Sequence, residues 1–391
     1  MIRKVAAIVL SNVILLLVLL AWAEWTLRHY FPINTHYMAV DGTLARHTGW
    51  GPVETGIDSG KLRFLCDNEH SSESAAVQPR ILLLIGDSLL DCNQNGSQPF
   101  SNTIPYLLQG KLGAQWDVYN LSAGGWGTDQ EYLAYIHYGA SLKPQLVVLF
   151  FTPGNDLYNN ASSYAVSGLI GKPRFDVIDG RLTLREQREA FSDLNQFRSF
   201  HRDIELFKRV ALLKIYLESA VQKAKLILTA KSDIGFLRSE KYHQLATSIT
   251  PMLPTYKDSW DVTEQILLQF EKEVRRNGSD FAIFYLPTGI PNLCAPHPQY
   301  PMGCIGYESK VIDLVCDGRT VLVEPLQQYN LLKEFGERHG IKILNAFGAF
   351  EPYGYKYHAI SNDCLHFTGK QGSEHVAGAL AKYLFAGKAQ P

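Results

Sequence analysis

One serine, and an Asp–His pair far from it in the chain, are the residues best equipped for chemistry. Ser88 follows the aliphatic run of residues 81–85 and the pair Gly86-Asp87. Such a run reads as an interior strand of a parallel sheet, and Gly86 permits the tight exit that a bulkier residue would crowd. The hydroxyl is then carried out at the strand end, at the start of a helix, where free N–H groups and the helix dipole favour developing negative charge. Asp363-Cys364-Leu365-His366 stands near the other end, before Phe367-Thr368-Gly369 and an amphipathic stretch through Ala377, Leu380 and Leu384. An imidazole can take the proton of a serine hydroxyl, and a carboxylate can hold the imidazole tautomer and stabilise its positive form. Each piece also has a plainer explanation. Asp87 or Ser88 can simply cap a helix, and Asp363 and His366 can occupy a surface turn.

Two further segments place donors where an oxyanion would need them. Val118 to Leu121 runs into Ser122-Ala123-Gly124-Gly125-Trp126-Gly127, and the apolar run of residues 146–151 runs into Thr152-Pro153-Gly154-Asn155-Asp156. Glycine lets a backbone N–H approach a ligand closely, and an asparagine amide donates a neutral hydrogen bond. Taken singly, both are also ordinary strand-ending turns.

The elements that must position these groups alternate. After Ser88, Ile104, Leu107 and Leu108 mark a first helix and residues 130–142 a second, and Lys143-Pro144 breaks into a third strand. Asp261 is the expected cap of a helix through Ile266, Leu267, Phe270 and Val274 that stops at Asn277-Gly278. Residues 281–286 then read as strand four, residues 325–339 as a helix ended by Gly340, and residues 341–344 as strand five. This order predicts an α/β fold with a doubly wound, mostly parallel five-stranded sheet, its ligand site at the carboxyl edge of the strands.

Together and in order, the four segments resemble the SGNH hydrolases, the GDSL esterase and lipase family. Gly86-Asp87-Ser88-Leu89 matches the nucleophile block and Asn120 through Gly125 the glycine block. Gly154-Asn155-Asp156 matches the Gly-x-Asn-Asp block, and Asp363-x-x-His366 the last. The resemblance implies a flavodoxin-like three-layer fold with Ser88 as nucleophile, His366 as base and Asp363 orienting His366. It further implies an oxyanion hole of the Ser88 and Gly125 backbone amides and the Asn155 side chain, with Gly124 the alternative to Gly125. It covers residues 80–160 and 261–386 and hardly touches the middle. The chain departs from the family pattern in the long interval of residues 157–260, and in Ser122, which stands where a glycine is frequent.

Residues 5–23 are interrupted only by Ser11 and Asn12 and follow Arg3 and Lys4. That length and charge pattern predicts a transmembrane anchor with its basic end in the cytoplasm and Trp22 and Trp25 at the interface. Cleavage after Ala23, before Glu24, would instead give a secreted protein. The expected organisation is therefore an anchor or signal peptide over residues 1–28 and an extension over 29–79. The hydrolase-like domain follows over 80–391, interrupted by a helical insertion at 157–260 that caps the site. A helix through Ile204, Phe207, Val210, Leu213, Leu217, Val221 and Leu228 is expected in that insertion, flanked by lysines that suit either a solvated face or an anionic surface.

A net charge of −1 offers no electrostatic case for binding nucleic acid. Six cysteines (Cys66, Cys92, Cys294, Cys304, Cys316 and Cys364) are compatible with disulfides in an oxidising compartment. Cys92 and Cys364 are expected as neighbours, paired or buried as thiols. The cysteine spacings, with His297, form no zinc pattern, so neither metal nor cofactor is expected. The expected function is hydrolysis of O-acyl esters, small molecules or an acetylated carbohydrate of the cell envelope, outside the cytoplasm. The alternatives are an acyltransferase on surface glycans, which the same acyl-enzyme would serve, and a noncatalytic carbohydrate-binding or assembly protein. The oligomeric state is not legible.

Overall fold

The computed structural model describes residues 11–12, 14–22, 79–90, 100–122, 125–161, 174–185, 243–286, 289–291, 304–305, 311–316, 319–350, 364, 366–367 and 370–386. The strands are β1 (Arg80–Gly86), β2 (Trp116–Ser122), β3 (Leu146–Phe151), β4 (Arg174–Ile178), β5 (Arg181–Arg185) and β6 (Asp280–Tyr285). They continue with β7 (Ile290–Pro291), β8 (Cys304–Ile305), β9 (Ile312–Cys316), β10 (Arg319–Val323) and β11 (Lys342–Asn345). The helices of the globular part are α1 (Ile104–Leu112), α2 (Thr128–His137), α3 (Asn155–Ala161), α4 (His243–Ala246), α5 (Pro254–Arg276), α6 (Gln327–His339), α7 (Phe347–Phe350) and α8 (Lys370–Ala386).

Five strands form one sheet in the order β11-β6-β3-β1-β2, every neighbouring pair parallel. Burial on both faces explains the near-continuous apolar runs. Alternate residues serve opposite sides. Leu83, Ile85, Val147, Leu149, Ile283 and Tyr285 pack with Tyr135 of α2, Phe270 of α5 and Phe335 of α6. Leu82, Leu84, Val148, Phe150 and Phe284 pack with Leu108 of α1 and Val376 and Leu380 of α8. The result is a helix–sheet–helix sandwich. Because the chain leaves β1 for β2 across one face and leaves β3 for β6 across the other, the connections part between β1 and β3. A crevice opens at such a point, at the carboxyl ends of the two strands.

Several element bounds differ from expectation. Asp261 lies inside α5, which starts at Pro254 after Leu253, because proline fits a first helical turn whose N–H groups have no partners. The second helix begins at Thr128 and ends at His137, and a 3-10 turn, Gly139–Leu142, completes the expected stretch. Pro325 and Leu326 form a turn ahead of α6, and the last two sheet strands are each displaced by one residue. Ser88 sits in a turn, closed by Leu90 N–H donating to the Asp87 carbonyl at 3.2 Å, rather than at the first residue of a helix.

Within residues 157–260, α3 continues to Ala161, and β4 and β5 form an antiparallel hairpin that the sequence reading did not anticipate. A second hairpin, β9 with β10, was likewise unforeseen. The expected helix over residues 204–228 lies outside the described residues, as do residues 29–78. Of the expected anchor, residues 11–12 and 14–22 are helical, and every described apolar residue from Ile14 to Leu20, with Trp22, is exposed. Among the described residues no helix is long and apolar enough to cross a membrane.

Phe270 ties α5 to α2 and to the sheet, its ring 5.5 Å from Tyr132, 5.3 Å from Tyr135 and 5.2 Å from Phe281. Phe270→Ala should therefore lower the unfolding free energy by about 3–5 kcal/mol, measured by urea denaturation.

Candidate active site

Three sheet strands deliver the site. β1 ends in Gly86 and hands on Asp87 and Ser88, β2 leads to Gly125, and β3 leads to Asn155. Parallel pairing of β1 with β2 and with β3 brings these ends to one edge. His366 comes from the segment before α8, a helix packed on the opposite face to α2. Its Nε2 lies 2.8 Å from Ser88 Oγ, a contact between residues 278 apart in the chain. That distance is within direct proton-transfer reach. Asp363, the expected partner of His366, lies outside the described residues, as do Gly124 and Cys92. Cys364 is buried, has a φ of 68°, and is disulfide-bonded. Its carbonyl accepts the Gly289 N–H at 2.9 Å, which fixes the backbone two residues before His366.

Asn155 opens α3 after Gly154, whose φ of 82° is a left-handed conformation favoured by glycine. The Gly154 N–H donates to Gln328 Oε1 at 2.9 Å, and Gln328 Nε2 donates to Thr247 Oγ1 at 3.0 Å, so α6 holds the turn from behind. The Asn155 Nδ2 amide donates to Asp87 Oδ2 at 2.6 Å and to the Trp126 carbonyl at 3.2 Å. The predicted oxyanion donor is thus beside the nucleophile turn, with its protons engaged within the protein. Gly125, with a φ of 75°, is half-buried at the same edge. Asn120 of β2 donates to the Leu90 carbonyl at 2.9 Å and fastens the nucleophile turn.

Asp87, which the sequence offered only as a helix cap, holds this arrangement together. It is fully buried, accepts the Leu89 N–H at 3.0 Å through Oδ1, and binds Asn155 through Oδ2. Burial raises its carboxyl above the ordinary carboxylate range, while the Leu89 N–H, the His366 charge and the Asn155 amide pull it back. Behind it lie three more fully buried acids, Asp129, Glu131 and Asp156. Asp156 Oδ2 accepts the Thr152 N–H at 2.7 Å at the end of β3. Burial, then the Asp87 charge, pushes the Asp156 carboxyl well up. Glu131 is pushed well up by burial, then by Asp156, Asp87 and Asp129, and neither of its carboxyl oxygens has a hydrogen-bond partner among the described residues. Among the described residues no group of three or more His, Cys, Asp or Glu side chains could hold a metal ion.

No family model and no curated protein matches the chain. Solved structures do overlap with it. A catalytic mutant of an acetylxylan esterase from Geobacillus stearothermophilus is 13% identical, with 79% of this chain and 95% of that one covered and a TM-score of 0.37. An α/β hydrolase from the metagenome of Lake Arreo is 13% identical, covering 80% and 97% with a TM-score of 0.38. A carbohydrate acetylesterase family member from Sinorhizobium meliloti is 12% identical, covering 78% and 98% with a TM-score of 0.32.

Glu131 sets a pH dependence of stability. Its carboxyl, ordinarily near 4.5, binds a proton more tightly folded than unfolded. Its contribution is therefore complete below the ordinary value and is lost as pH rises through the higher folded value. Glu131→Gln keeps the neutral form permanently. In urea denaturation across a pH series, the fall in stability with rising pH should become shallower by up to about 1.4 kcal/mol per pH unit, the limit for one proton. An unchanged slope would show that Glu131 is ionised in the folded state.

Proposed function

We propose that the chain is a serine acyl hydrolase acting on O-acyl esters, with Ser88 as nucleophile and His366 as general base. The observation that carries this is the 2.8 Å contact of Ser88 Oγ with His366 Nε2 in the crevice where the sheet connections part. His366 takes the Ser88 proton as Oγ bonds to the ester carbonyl carbon, and the carbonyl electron pair moves to its oxygen. The Ser88 and Gly125 backbone N–H groups and the Asn155 amide are assigned to that oxyanion. The intermediate collapses and expels the alkoxide, which takes the proton from His366 and departs as the alcohol. Water, deprotonated by His366, then bonds to the acyl carbon, the bond from that carbon to Ser88 Oγ breaks, and His366 returns the proton to Oγ as the acid leaves. Asp363 is assigned to orient His366.

The proposed substrate is an O-acetyl ester on a carbohydrate outside the cytoplasm, met by a domain anchored through residues 5–23. The exposed apolar helix over the described part of that segment supports an anchor, since soluble surfaces seldom present such a contiguous patch. The Cys364 disulfide supports an oxidising compartment. The resemblance of the motif blocks supports the ester and the acetyl group.

Ser88→Ala should lower turnover of p-nitrophenyl esters of graded chain length by roughly 10³-fold or more, with the unfolding transition unchanged. Full retained activity overturns the assignment. Asn155→Ala should lower kcat by about 10²- to 10³-fold with KM near that of the parent, as expected for an oxyanion donor; steady-state kinetics on the acetyl ester reads this directly.

A further inference from the structure

We propose that Asn159, one helical turn beyond Asn155, is a positioning residue: it sets the direction of the Asn155 amide and frees one of its protons for the oxyanion. The inference rests on the hydrolase reading above. Asn159 is fully buried on α3, and its Nδ2 faces three acceptors, Asn155 Oδ1 at 3.1 Å and the carbonyls of Gly125 and Trp126 at 3.3 Å each.

The first contact fixes orientation. With Asn155 Oδ1 held by a donor, Asn155 Nδ2 must turn towards Asp87 Oδ2, and a reversed amide would set oxygen against carboxylate and nitrogen against nitrogen. Both ends of the amide therefore specify the same arrangement. The second contact concerns the proton that catalysis needs. Asn155 donates to Asp87 at 2.6 Å but to the Trp126 carbonyl at 3.2 Å, so the second proton is the one a developing oxyanion can claim. Withdrawing it takes a donor from that buried carbonyl, and a buried acceptor short of donors costs free energy. Asn159 already stands at hydrogen-bonding distance from that carbonyl and keeps it satisfied. Gly127, two residues beyond the glycine block, makes room for this side chain, because a Cβ there would come within 2.5 Å of Asn159 Cβ.

The test compares Asn159→Ala and Asn159→Leu with the parent protein, the latter nearly the same shape but with no donor. Competent Ser88 is counted by fluorophosphonate titration, so kcat for p-nitrophenyl acetate is expressed per reactive site and misfolded molecules do not enter. Both variants should lose about tenfold in kcat, with KM within about twofold of the parent. In an Asn155→Ala background the Asn159→Ala change should cost less than about twofold, since the residue acts through Asn155. Parental kcat in the single variants overturns the inference, as does an equal loss in both backgrounds, which marks a merely structural role. If the parent protein neither labels nor turns over ester, the hydrolase reading itself fails and this inference with it. Should Asn159→Ala yield no folded protein, Asn159→Leu in the two backgrounds decides by the same ratios.

Discussion

The hydrogen bond between Ser88 and His366 is the constraint on which the rest of the molecule turns, because neither residue can reach the other through local structure. Ser88 is fixed by the register of β1, whose Gly86 pairs with Ser122 and whose Ile85 pairs with both Leu121 and Leu149. His366 is fixed by the Cys364 segment ahead of α8, and Phe367 and Cys364 pack into the same core as Leu89 and Leu90. A hydroxyl and an imidazole are held at 2.8 Å only because two apolar layers agree on where the sheet edge lies. Packing here sets chemical distance.

Much of that arrangement was legible in the sequence. The runs at residues 81–85 and 146–151 had to be buried strands, and Gly-Asp-Ser and Gly-Asn-Asp at their ends foretold which residues the crevice would receive. The hairpins β4–β5 and β9–β10 were missed although Asp179-Gly180 and Asp317-Gly318, the two-residue type of turn that closes a hairpin, stand between their strands. Arg181 to Arg185 alternates polar and apolar residues, and Ile312 and Leu314 are buried between exposed neighbours, so the period of two is present but spans only five residues per strand. The α5 start was misplaced because Asp261 has a capping side chain, whereas Pro254 begins the helix through its fixed φ alone. Within the site, Asp87 and Asn159 were missed as contributors. A helical spacing of four from Asn155 was the available signal for Asn159, and it gains meaning only once α3 is known to start at Asn155.

The surroundings of Asn155 are rich in acids for a place where the proposed reaction would develop negative charge. A carboxylate beside an oxyanion raises the barrier, and Asp129, Glu131 and Asp156 are buried behind Asn155 with little solvent to screen them. Burial itself moderates the conflict. It pushes the Glu131 and Asp156 carboxyls towards their neutral forms, and the Asp156 side chain is also committed to the Thr152 N–H.

Asp87 is different, and its position accounts for the difference. Burial raises it too, but the donors at Leu89 and Asn155 and the charge of His366 draw it back towards its charged form. The attraction is mutual, so a charged Asp87 would favour the imidazolium of the proposed reaction. Asp87 also binds Asn155 Nδ2 on the side away from the Trp126 carbonyl, which leaves the amide's second proton as the mobile one. In the proposed reaction one carboxylate would thereby act on both charges of the transition state, on the cation directly and on the anion only through the amide that it orients. A residue adjacent to the nucleophile can do this because β1 ends where it does, turning Asp87 inward and Ser88 to the half-open edge.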